Sequence, residues 1–122
     1  MSNVALVVKY LNHRIKDAEW DLNDFSEELA KNPIMALRGA QNTYRAAAEL
    51  EVATQLSRMI RKLEELGKTS EEIFEELRSD LTKEILRSAA DDSSGKSDCD
   101  VLLDKSLQAA RTRMLSVIAD YV

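Results

Sequence analysis

One proline and three glycines interrupt 122 residues. That scarcity excludes the turn-rich sandwiches and barrels of β proteins and favours long unbroken helices. A single cysteine, Cys99, excludes an intramolecular disulfide framework. A single histidine, His13, has no glutamate three residues before it, which excludes the two Glu-x-x-His pairs of a ferritin-like metal centre. Aromatic residues are 5% of the chain, so its core has to come from Leu, Ile, Val, Met and Ala at helical spacing. No apolar run approaches the roughly 20 residues that span a bilayer. The start lacks the basic, apolar and small-residue series of a secretory signal, and a cytoplasmic location is expected. Excess positive charge is missing too: 17 Lys and Arg against 22 Asp and Glu give a net charge of −5. A general nucleic-acid binder, whose affinity comes from neutralising phosphates, is thereby disfavoured.

What the chain does contain is helical periodicity. Val4, Val8, Leu11, Ile15, Ala18, Leu22, Phe25 and Leu29 recur with alternating steps of four and three, a heptad seam that predicts one helix over residues 2–31. Ser2 is its expected N-cap. Asp24 and Glu27 have the spacing of a capping box, but the seam keeps its phase there, so no break is expected. Asn32 and Pro33 then mark the start of a second helix, with Asn32 as cap and Pro33 in the first turn, where its missing amide is harmless. That helix is expected to run unbroken over 33–66. Its first half is rich in Gly39, Ala40, Ala46, Ala47, Ala48 and Ala53, which admit a close neighbour, and its second half repeats Val52, Leu56, Met59, Leu63 and Leu66.

Two further helices are predicted over 70–90 and 98–121. The first carries Ile73, Phe74, Leu77, Leu81 and Ile85 on one face; the second carries Leu103, Leu107, Ala110, Met114, Val117 and Tyr121. The expected fold is all-α: an elongated antiparallel helical hairpin of residues 2–31 and 33–66 with two more helices alongside, four-helix-bundle-like. A single domain over 1–122 is expected, with a flexible polar linker at 91–97. Seams this long exceed what short neighbours cover, which predicts a homo-oligomer, a dimer in the first instance.

Two Gly-Lys-Ser/Thr tripeptides invite a phosphate-binding reading. The stretch from Ala90 to Ser97, "ADDSSGKS", fits a relaxed Walker A pattern, and Gly67-Lys68-Thr69 repeats its end. A working phosphate loop joins a strand to a helix N-terminus. Here the preceding "LTKEILRSA" is helical, and Asp91 and Asp92 would repel a polyphosphate. Helix punctuation explains both: a glycine closes one helix, and Thr69 with Glu72, or Ser97 with Asp100, caps the next. An EF-hand fails on Ala90 and Val101, where Asp and a bidentate Glu are needed. Cys99 between two aspartates is the wrong environment for an activated thiol.

Three functional readings follow. The leading one is a non-enzymatic helical interaction protein, a small adaptor, assembly factor or regulator of the kind found among bacterial and phage accessory proteins, binding another protein by helix-to-helix contact. No cofactor, metal site or catalytic residue is expected with it. The second starts from Glu72-x-x-Glu75, which resembles the first half of the paired acidic motifs of all-α nucleotide pyrophosphohydrolases. That likeness implies magnesium-dependent hydrolysis, but no Glu-x-x-Asp follows at a suitable spacing. The third uses the basic residues of the second helix, Arg38, Arg45, Arg58, Arg61 and Lys62, as a contact for nucleic acid or a partner. A helix-turn-helix across Gly67 is a poor version of it, because the would-be recognition segment 70–80 carries five acids and one arginine.

Overall fold

A computed structural model describes residues 3–90 and 95–121. Ser2 and residues 91–94, the larger part of the expected linker, lie outside them. All regular structure in the described residues is helical: α1 Asn3–Lys31, α2 Pro33–Arg38, α3 Ala40–Glu65, α4 Ser70–Ala90 and α5 Asp98–Asp120.

The expected single helix over 33–66 is divided in two at Gly39. Its φ of −92° and ψ of 12° leave the helical region, and its amide bonds back to both Met35 and Ala36 carbonyls. A glycine within a helix gives up the restraint a side chain supplies, so the break falls where the backbone is least stiff. Pro33 takes the first turn of α2 as expected. Asn32 does not cap it with its side chain, which turns back to donate from Nδ2 to Glu28 Oε1 at 3.1 Å.

Later junctions follow the sequence closely. Gly67 has a φ of +76°, with Lys68 N–H bonded to the Leu63 carbonyl and Gly67 N–H to that of Glu64, the paired bonds of a Schellman closure. The capping box forms in both directions: Thr69 N–H donates to Glu72 Oε1 at 3.1 Å, and Glu72 N–H to Thr69 Oγ1 at 3.2 Å. Gly95 has a φ of +84°, and Ser97 Oγ accepts from Asp100 N–H at 3.2 Å.

Helix α3 is the central element, packed on α1, α5, α4 and α2. It runs back along α1, while α5 lies beside it in the same direction: Arg45 shares a cleft with Leu102, and Glu49 bonds to Arg113. At the other end Asn3 Nδ2 donates to the Tyr121 carbonyl at 2.7 Å, and Val4 shares a cleft with Glu64 and Ile73. The core joins Val4, Val7 and Leu11 to Val52, Leu56 and Ile60, Ile73, Leu77 and Leu81, and Ala110, Met114 and Ile118. In α3, α4 and α5 these advance in steps of four. Straight helices drift by about 20° per heptad, so a strict four-three seam leaves the core face within a few turns. Hence Ile60 is buried where the seam named Met59, Ile118 where it named Val117, and Val7 where it named Val8, while Leu66 is exposed.

That core ends halfway along α1. Beyond Ala18 the seam continues only as half-buried Leu22 and Phe25 and exposed Leu29. Here α1 meets α2 and the first turns of α3 instead of the full set of helices.

Candidate functional site

The five basic residues singled out in sequence do not form one patch. All are exposed. Arg38 ends α2, with Nη1 4.0 Å from Met35 Sδ, and Arg45 belongs to the first turns of α3. Arg58, Arg61 and Lys62 lie on the solvent side of its last turns, about 20 Å further along at 1.5 Å per residue. The structure therefore divides them two and three, at opposite ends of α3.

A different charged residue organises the interior. Glu49 is 4% exposed, the one charged side chain among the buried described residues. From α1, Arg14 donates Nε to Glu49 Oε2 at 2.9 Å and places Nη2 2.8 Å from the same oxygen. From α5, Arg113 donates Nε to Oε1 at 3.1 Å and Nη2 at 2.5 Å. Two guanidiniums thus occupy the roughly four lone-pair positions of one carboxylate, and three helices meet on one side chain. The hydrogen bond to Glu49 holds the Arg14 guanidinium above its usual range, while burial pushes the neighbouring Tyr10 phenol up despite Arg14. A carboxylate so engaged is a fastener, with no position left to accept a substrate proton. Sequence did carry a signal for it: Ala46, Glu49, Ala53, Leu56 and Ile60 step by three and four, so Glu49 falls in phase with the core.

Beside this cluster, α1 parts from α2 and α3 to leave a groove of about 410 Å³. Its base is small: Ala18, Ala36 and Ala46 are buried, and Gly39 lines it without a side chain. Asp17, Asp21, Asp24 and Glu28 line its α1 wall, with Arg14 and Glu49 at its inner end and Phe25, Met35 and Arg45 among the remaining residues around it. Large apolar side chains crowd the same end. Of the seven exposed ones among the described residues, Trp20, Leu29, Ile34, Met35 and Leu37 fall here, at 67%, 39%, 64%, 61% and 58% exposure. No protein family, no curated protein and no solved structure matches the chain. Its function has to be read from its own surface.

Motifs that suggested chemistry have local roles. Lys96, the Walker-like lysine, places Nζ 2.7 Å from Asp104 Oδ2, which ties the α4–α5 junction to the second turn of α5. Glu72 is held by the Thr69 amide and hydroxyl, and these hydrogen bonds keep its carboxyl below the usual range, with Lys68 adding to them. Cys99 is exposed, and its side chain beside the Tyr44 hydroxyl is the main reason that phenol is pushed up. Among the described residues no three of His, Cys, Asp or Glu are grouped to hold a metal ion, and no helix is long and apolar enough to cross a membrane.

Proposed function

We propose that this chain is a helical interaction protein, an adaptor, assembly factor or regulator, and that it works through the end where α1 meets α2. The observation that carries this reading is α2 itself: Ile34, Met35 and Leu37 all face solvent beside the small-residue groove, and Ala36 alone is buried. Scattered exposed apolar residues are ordinary, but a contiguous set rimmed by charge is typical of a surface that binds another macromolecule. Helix-in-groove recognition uses this combination of apolar anchors and a polar rim. The expected oligomer rests on the same uncovered turns, since the first half of the α1 seam is covered within the chain.

Site-specific photo-crosslinking tests the reading. A benzophenone amino acid at position 37 should give discrete adducts in an extract of the source cells, and the same probe at position 58 should not. Adducts at 58 and none at 37 would sink it.

A further inference from the structure

Building on the reading of the α1–α2 end as an interaction surface, we propose that its occupant is a cationic amphipathic helix of another protein. The helix lies along the groove with its apolar stripe on Phe25 and Met35 and its Lys and Arg side chains on the acidic wall of α1.

Four features lead to that occupant. The first is register: Asp17, Asp21, Asp24 and Glu28 advance by four, three and four, alongside Ala18, Leu22, Phe25 and Leu29 with the same steps. An apolar seam flanked by a charged row at heptad spacing is the pattern by which one helix selects another, the flanking charges fixing the sign of the partner. The second is the direction of charge along α1. Residues 17–28 hold six acids and no base, in the half of the helix nearest its negative end, and Lys31 is the one base in the last turn. Charge so placed opposes the helix dipole and weakens the free helix, a defect that an incoming cation removes. Thirdly, no ion pair engages Asp21 or Asp24 among the described residues, whereas Arg14, the α1 cation that lines the groove, is committed to Glu49. Finally, the shape suits a helix: the alanine and glycine base lets a backbone approach closely, and exposed Met35 adapts to varied apolar partners.

A second copy of this chain fits less well. Its matching end would bring the same acids against these. Its basic side chains at Arg58, Arg61 and Lys62 have a single exposed large apolar neighbour, Leu66, and no stripe. Nucleic acid and an anionic membrane carry the wrong sign for the wall.

The test uses the full chain and two tryptophan-free synthetic helices, identical in their Leu seam and bearing Lys or Glu at the flanking heptad positions. Trp20, the only tryptophan, lies on α1 next to Asp21 and reports binding by its emission; calorimetry confirms it. The Lys helix should bind and the Glu helix should not. Affinity should fall as salt shortens the screening length from about 30 Å at 0.01 M to about 8 Å at 0.15 M. The double variant Asp21→Asn, Asp24→Asn should weaken binding about five-fold, as expected for two partly exposed ion pairs. Glu75→Gln with Glu76→Gln, on the exposed side of α4, should leave it unchanged. Equal binding of the two helices, no binding of either, or equal weakening by both pairs of substitutions overturns the proposal. So does a dimer in light scattering that Asp21→Asn, Asp24→Asn strengthens and the Lys helix cannot displace. If the crosslinker at position 37 still captures a partner while the Lys helix fails to bind, the assigned chemistry is wrong and the interaction surface stands.

Discussion

Arg113 donates two hydrogen bonds to one oxygen of Glu49, a residue 64 positions earlier in the chain, and Arg14 holds the other oxygen. Removing one arginine leaves the buried carboxylate still paired; removing both strands it. Arg14→Ala and Arg113→Ala should each lower stability by about 1 kcal/mol, because both side chains are partly open to water. The double variant should lose clearly more than the sum, in the direction of the about 3–5 kcal/mol of an orphaned buried charge. Urea unfolding followed by circular dichroism measures this, and additive losses would refute a shared anchor.

Two glycines should respond oppositely to alanine. At Gly67 the φ of +76° is a conformation that a side chain strains, although nothing lies within 4 Å of the added carbon. Gly67→Ala should lower stability by about 1 kcal/mol. At Gly39 φ is negative and the nearest atom to an added carbon is the Ala36 carbonyl oxygen at 3.6 Å, an ordinary contact. Gly39→Ala should raise stability by about 0.5–1 kcal/mol and bring α2 and α3 closer to one continuous helix. Melting curves decide both signs.

Acid should loosen the start of α4 through Glu72. Its folded-state carboxyl titrates below the ordinary 4.5 because it accepts from the Thr69 amide and hydroxyl. A depressed folded value means the stabilisation is complete above 4.5 and is lost as pH falls through the folded value. Thr69→Ala removes the hydroxyl partner, so the Glu72 titration followed by NMR should move up. An unchanged midpoint would show that the cap contributes nothing.

Surface and core leucines should separate cleanly. Leu37→Ser, at 58% exposure, should change stability by no more than about 0.5 kcal/mol. Leu11→Ala and Leu56→Ala, at 0% and 1%, should cost about 2–5 kcal/mol each. A large loss at Leu37 would mean that α2 is held in place by that side chain, and would remove it from the interaction surface.

The helices and their ends were legible in sequence wherever local chemistry decides. Pro33 opened α2, Gly67 closed α3 and Thr69 with Glu72 opened α4, because a fixed φ, a positive φ and a reciprocal hydrogen bond each involve residues a few positions apart. Asn32 misled because its side chain had a competing partner one turn back in Glu28. The Gly39 break is not legible in sequence because an isolated glycine inside a helical pattern is tolerated at a cost of only about 1 kcal/mol. The division of the basic residues was already legible, since Arg45 and Arg58 lie about 20 Å apart along a helix that rises 1.5 Å per residue.

Sequence by itself determined an all-α chain, its junctions at Pro33, Gly67 and Gly95 and its apolar rows, since these follow from backbone preference and from periodicity along a single helix. Which rows are covered was decided only by tertiary structure. Burial depends on which helices are neighbours, and α4 and α5 accompany α3 without covering the second half of α1. The same arrangement drew Glu49 between Arg14 and Arg113 and left Phe25, Met35 and the acids of α1 at an open groove. The heptad row that predicted a long buried seam is therefore covered as far as Ala18 and beyond it only half-buried, with Leu29 exposed, because a row of apolar residues fixes a face and its neighbours fix what that face meets.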